Sequence, residues 1–182
     1  MALTQVQGGM ILPSTTLTTP IVATTLGVGN ATPSASGAGI TFPATQSASS
    51  DANTLDDYEE GTWTPSIGGN ATYTTQSGYY RKIGSLVFIS AYVLINSKGT
   101  GSDSVISGLP FHPGGAASTN ESVFAVSKAE TLSASVTSIS LRNNGTDIYS
   151  TYRTSASSSG TVNGAYIQNA TELNFSGCYL IY

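Results

Sequence analysis

The chain is short of charge, of histidine and of cysteine, and each shortage removes a class of chemistry. It carries 6 Lys and Arg against 10 Asp and Glu, so charged residues are 9% of 182 positions, where about 25% is usual. Six scattered cations cannot build the basic face that phosphate contacts require, so nucleic acid is not expected as a partner. The single cysteine, Cys178, leaves no intrachain disulfide and no thiolate-clustered zinc site, and reads as a small apolar filler in the last strand. The single histidine, His112, sits in the loop sequence Phe111-His112-Pro113-Gly114-Gly115 and removes most histidine-relay and metalloenzyme chemistry. No G-x-S-x-G elbow accompanies it.

Residues 1–50 contain no charged side chain at all. A secretory leader needs a basic start and a continuous apolar core, and Met1 to Gly9 has neither. A membrane span needs about 20 apolar residues in a row, and Pro13, Pro20, Gly27, Gly29 and Pro33 interrupt every candidate, so no membrane insertion is expected. What remains is an extended, largely irregular docking arm, with too little contiguous apolar surface to order itself alone. It is expected to be held by other chains, since a covered segment avoids the desolvation cost of buried ions.

What is abundant is Ser and Thr, roughly fifty together, with 20 Gly and 10 Tyr; branched Thr suits a pleated surface, and Ser and Gly suit turns. The fold class expected is all-β: an antiparallel, jelly-roll-like β-sandwich head over residues 63–182, after an acidic hinge at 51–62. Asp51, Asp56, Asp57, Glu59 and Glu60 are half of all the acids and read as a solvated or chain-bridging stretch. Strands are expected over Gly78 to Ile83, Leu86 to Ile95, Val105-Ile106, Ser122 to Ser127, Val136 to Arg142, Thr146 to Tyr152, Ala165 to Gln168 and Glu172 to Tyr182. The run from Leu86 to Ile95 is too continuous for a strand with a wet face and is expected centrally. Asn144-Gly145 is the best hairpin signal, because both central positions of a type I′ turn need positive φ.

Motifs for chemistry are weak. An EF-type calcium loop starting at Asp51 would need glycine where Asp56 stands, and paired catalytic carboxylates come from different elements flanking a cleft. Gly27-Val28-Gly29 and Gly37-Ala38-Gly39 lack the third glycine of a dinucleotide fingerprint. No cofactor or metal is expected. The Asn-x-Ser/Thr triplets at Asn30, Asn70, Asn120, Asn144 and Asn169 arise by chance in so Ser- and Thr-rich a chain. Tyr149, Tyr152 and Arg153, beside the Ser155 to Ser159 loop, form the candidate cluster for contact with a glycan or protein receptor, because amphipathic rings stack on sugar faces. Trp63, Phe111, Tyr179, Ile181 and Tyr182 are the candidate packing or oligomer anchors.

Two stretches, Gly39-Ile40-Thr41-Phe42-Pro43-Ala44-Thr45-Gln46 and Asp51 to Pro65 with its core Leu55-Asp56-Asp57-Tyr58-Glu59-Glu60-Gly61-Thr62-Trp63-Thr64-Pro65, resemble a module of tailed-phage tail fibre and other virion proteins. Gly78-Tyr79-Tyr80-Arg81-Lys82-Ile83-Gly84, the apolar strand after it, and Ser107-Gly108-Leu109-Pro110-Phe111 are similar to later pieces of the same module. The resemblance implies a virion surface protein, a homotrimer whose β-rich head lies outside and whose residues 1–50 attach it to other virion proteins. Fibre proteins with this module are usually longer, with a shaft upstream. A short arm before a compact head also suits a capsid decoration protein, and a glycan-degrading enzyme is the remote third reading. Assembly rather than catalysis is the expected role.

Overall fold

The computed structural model describes residues 25–29, 31–33, 37–45, 49–51, 53–113, 121–133, 136–154 and 166–181. The chain divides into two units, Met1–Ser47 and Ala48–Tyr182. In the first, β1 (Thr25–Gly27) and β2 (Gly39–Thr41) pair in parallel, Leu26 opposite Ile40, a short sheet that the extended-arm expectation did not contain.

The second unit is all-β and antiparallel. Its strands are β3 (Tyr58–Trp63), β4 (Thr72–Ile83), β5 (Leu86–Ser97), β6 (Val105–Ile106), β7 (Val123–Glu130), β8 (Val136–Asn144), β9 (Asp147–Thr154) and β10 (Glu172–Leu180). They form one curled sheet in the order β3-β4-β5-β10-β7-β8-β9-β6. Strand β7 joins the two layers: Ala125 to Glu130 pair with β10, while Val123 and Phe124 pair with β8. Just beyond β3 and β6, Ser66 and Ser107 exchange backbone hydrogen bonds of 3.0 and 2.7 Å, so the two sheet edges meet. Such a contact removes part of the free-edge hazard of an open sheet.

Alternation along the strands builds one core. Val87, Ile89, Ala91, Val93 and Ile95 of β5 point inward, as do Leu173, Phe175 and Tyr179 of β10. Ile106, Leu141 and Ile148 come from the other layer, and Phe124 sits edge-on to both Phe175 and Tyr179, with centroids 6.4 Å apart. Trp63 closes the end of β3. Its indole lies over Gly78, and its Nε1–H donates to the Ser90 carbonyl at 3.2 Å.

Both tight hairpins use glycine first. Ile83 and Leu86 flank Gly84-Ser85, and Asn144 and Asp147 flank Gly145-Thr146; the glycines have φ of +54° and +63°. The second turn is therefore one residue later than the Asn-Gly expectation, and Asn144 closes the strand ladder instead of turning. A glycine at the first central position is the II′-type requirement. The expected strand over Ala165 to Gln168 is absent over Tyr166 to Gln168, which form no element, although Tyr166 and Ile167 are buried.

The acidic block needs correction. Tyr58, Glu59 and Glu60 belong to β3, paired with Ile83, Lys82 and Arg81, and Asp57 is buried. Only the start of the block is exposed turn, where Asp51 accepts from the Asn53 and Thr54 amides at 2.9 and 3.1 Å. A strand prevails because alternation puts Glu60 outward beside Arg81 and gives the inward Asp57 a buried partner.

Candidate assembly face and a buried ionic cluster

The outer face of β3, β4, β5 and β10 is built in rows, because residues opposite one another in an antiparallel ladder share a face. The first row runs Tyr58, Ile83, Leu86, Leu180 across all four strands. The second is Glu60, Arg81, Phe88, Cys178, and the third Thr62, Tyr79, Ser90, Ser176. Toward the far end Ser77, Tyr92 and Asn174 follow, so the face grades from apolar to polar. Tyr58, Tyr79, Ile83, Leu86, Phe88 and Leu180 are between 39 and 61% exposed. At about 200 Å² for each whole side chain they leave roughly 550 Å² of largely apolar surface open. The largest patch on a typical monomer is about 300–600 Å².

Polar groups punctuate this face. A shallow open depression of about 530 Å³ lies among Glu60, Thr62, Tyr79, Arg81, Phe88 and Ser90. The Tyr58 hydroxyl donates to Glu60 at 2.9 Å, and Arg81 Nε lies 3.5 Å from the same carboxylate. That hydrogen bond to Glu60 raises the Tyr58 phenol above its usual range. At the polar end Glu172 accepts from both Tyr92 and Lys128 at 2.7 Å. The Lys128 hydrogen bond, then that of Tyr92, holds the Glu172 carboxyl below the usual carboxylate range.

Behind the face, on the inner side, lies the second feature. Lys82 stands opposite Glu59 in the ladder, and its Nζ reaches diagonally to Asp57 Oδ2 in a direct ion pair. Both side chains are 1% exposed. Glu59 Oε1 lies 3.6 Å from the same Nζ, and the Phe111 ring covers it with the centroid 5.4 Å away. Phe111 is itself fixed edge-on by Tyr80 at 5.2 Å, and its carbonyl accepts from the Tyr179 hydroxyl at 3.1 Å. Asp57 Oδ1 is buried without a hydrogen-bond partner among the described residues. Burial lowers the Lys82 ammonium below the usual lysine range, with the Asp56 carboxylate pulling the other way.

The residues singled out from sequence divide as follows. Trp63, Phe111, Tyr179 and Ile181 are packing residues of the core or its margin, and Tyr182 lies outside the described residues. Burial pushes the Tyr179 phenol up to about 12. Tyr149, Tyr152 and Arg153 do not share a face. Tyr152 is half-buried against Tyr166, with centroids 5.7 Å apart, whereas Tyr149 and Arg153 lie on the opposite side of β9. The period of two along a strand forces that split; the Ser155 to Ser159 loop lies outside the described residues. His112 Nδ1 contacts the Pro113 carbonyl at 2.7 Å. Cys178 is exposed in the second row opposite Phe88, not buried as a filler. Sequence reasoning missed the outer row and the buried lysine. Its one signal was the unbroken apolar run of β5, which puts apolar side chains on both faces of that strand.

Among the described residues no three His, Cys, Asp or Glu side chains are grouped to hold a metal ion, and no helix is long and apolar enough to cross a membrane. The fold and this face define an all-β unit with an apolar sheet surface left open among the described residues. No family model and no curated protein sequence matches the chain. Among solved structures it is similar to the crystal structure of the Dettilon tailspike protein (gp208), at a TM-score of 0.48 and 20% identity over 67% of this chain. The chain spans 23% of the length of that protein.

Proposed function

We propose that this chain is a structural protein of a tailed-phage virion, a homotrimeric, tail-associated attachment protein whose role is assembly and not catalysis. The observation that carries the assembly reading is the apolar row Tyr58, Ile83, Leu86 and Leu180 with Phe88 and Tyr79 beside it, an open sheet face of core-like composition. Its roughly 550 Å² is the size of the apolar centre of a standard interface of about 800 Å² per partner. Three copies turning this face toward a common axis bury it in a closed ring, and closure prevents open-ended growth. The resemblance of Leu55 to Pro65 to the fibre module supports the virion location. In this reading residues 1–50 dock the trimer on other virion proteins, several arms per trimer adding avidity. Tyr149 and Arg153, on the outer side of β9, remain the candidates for host-surface contact.

Quantitative mass spectrometry of purified particles tests the location. A few to some tens of copies per particle, by the linkage of tail symmetry to copy number, is the expected result. A ratio near that of the major capsid protein would make the chain a shell decoration component instead. Sedimentation of the isolated chain tests the trimer, and a monomer at micromolar concentration refutes it.

A further inference from the structure

We infer that Lys82 and Asp57 condense into an intramolecular amide, with Glu59 carrying the proton, so that β4 is covalently joined to the segment entering β3. This goes beyond the assembly reading and does not depend on it. Four observations converge on the site. The amine and the carboxylate are in direct contact, both are 1% exposed, a second carboxylate lies 3.6 Å from the amine, and the Phe111 ring lies over the amine with its centroid 5.4 Å away. The register supplies the alignment: Glu59 faces Lys82 across the ladder, and the Gly84 amide donates to the Asp57 carbonyl at 3.0 Å, fixing the backbone that carries the carboxylate.

The chemistry needs no outside reagent. Proton transfer within the ion pair gives a neutral amine and a carboxylic acid with no change in net charge, and burial favours this neutral form. The lowered basicity of Lys82 acts in the same direction. The Nζ lone pair adds to Asp57 Cγ and forms the C–N bond. Glu59 takes a proton from Nζ and delivers it to the departing hydroxyl, the C–O bond breaks, and water leaves. One C–N bond is made, one C–O bond is lost, nothing is oxidised or reduced, and Glu59 returns to its starting state.

Fixing the two groups in a folded site supplies the proximity that a bimolecular condensation lacks, where effective molarities reach about 10⁵ M and beyond. Condensation also removes a buried ion pair whose desolvation is expensive. It leaves the unpartnered Asp57 Oδ1 as a neutral amide oxygen, less costly to bury unpaired than a carboxylate oxygen.

The test is the intact mass of the folded full chain, measured under denaturing conditions after incubation at neutral pH. The expected mass is one water below the sequence mass, and protease digestion yields a branched peptide joining Lys82 to Asp57. Lys82→Arg should keep the full sequence mass, and Glu59→Gln, folded by circular dichroism, should condense roughly a hundredfold more slowly. A folded wild-type chain that keeps its full mass over days overturns the inference. So does loss of water without the branched peptide, the signature of a succinimide, or loss of water that persists in Lys82→Arg. Condensation of Glu59→Gln at the wild-type rate overturns the role of Glu59.

Discussion

Replacing Gly78 by alanine tests how the β3–β4 pair is locked onto the core. A Cβ at this position would lie 2.5 Å from Trp63 Nε1 and 2.7 Å from Cδ1 and Cε2. The indole cannot give way cheaply, because it is 6% exposed, edge-on to Phe175 with centroids 6.4 Å apart, and hydrogen-bonded to the Ser90 carbonyl. Overpacking of this kind costs about 1–3 kcal/mol, and a buried indole N–H pulled from its acceptor adds about 1–3 kcal/mol. With partial relaxation the expected loss is about 2–4 kcal/mol, or roughly 10 °C in Tm for a unit of this size. The sign is itself diagnostic, since Gly→Ala at an open position of the same backbone raises stability by about 0.4–1 kcal/mol. Denaturant unfolding of Gly78→Ala followed by circular dichroism reads the loss. Trp63→Phe supplies the second edge of the cycle: with the larger ring gone, Gly78→Ala should become nearly neutral, a coupling of about 1–3 kcal/mol. A Gly78→Ala variant at least as stable as wild type, or additive behaviour with Trp63→Phe, refutes the packing account.

Other outcomes follow from the same geometry. Phe88→Glu with Ile83→Asp, two outward residues 41 and 50% exposed, should leave the monomer folded while abolishing self-association in sedimentation velocity; an unchanged oligomer removes this face from the interface. Measured against wild-type chain that still has its full mass, so that the pair is ionic, Asp57→Ala strands the buried Lys82 ammonium and should cost about 3–5 kcal/mol, most of it recovered by adding Lys82→Met; urea melts of the two variants read the difference, and an Asp57→Ala variant as stable as that reference contradicts the burial of the pair. Glu172 has a folded pKa below the ordinary glutamate value of 4.5, chiefly through the Lys128 hydrogen bond. Its stabilising contribution is therefore complete above that value and is lost as pH falls through the folded pKa. Glu172→Gln should flatten this acid limb of the stability profile, and an unaltered acid limb would mean the network contributes nothing. Gly145→Ala, at φ +63°, should cost about 1 kcal/mol in a urea melt, and unchanged stability would contradict the left-handed turn at this position.

How much was legible in the sequence differs from element to element. The all-β class followed from composition, because Thr, Tyr, Val and Ile favour the pleated surface and helix formers are few. The strand end at Ile83, the strand start at Leu86 and the short β6 at Val105-Ile106 could be read locally, since such boundaries and a two-residue apolar pair need only their neighbours. The interior position of β5 in the sheet was legible for the same reason, because an unbroken apolar run is a local property, although both parities of that run are apolar and neither is marked as inward.

Pairing is not local, and pairing decided the rest. Nothing in residues 51–60 shows that Asp57 will meet a lysine 25 positions away, so an acidic run read as solvated hinge becomes the entry to a strand over a buried ion pair. Nothing in β5 alone shows that Leu86 will sit between Ile83 and Leu180, which turns three separate residues into one apolar row. The same parity rule put Tyr152 against Tyr166 and left Tyr149 outside, dividing a cluster that adjacency in sequence had joined. The sequence by itself determined the class of structure and the residues able to pack. Only the tertiary register decided which of them face the core, which face outward together, and which charges are sealed from water, because a register of period two assigns every side chain of a strand at once.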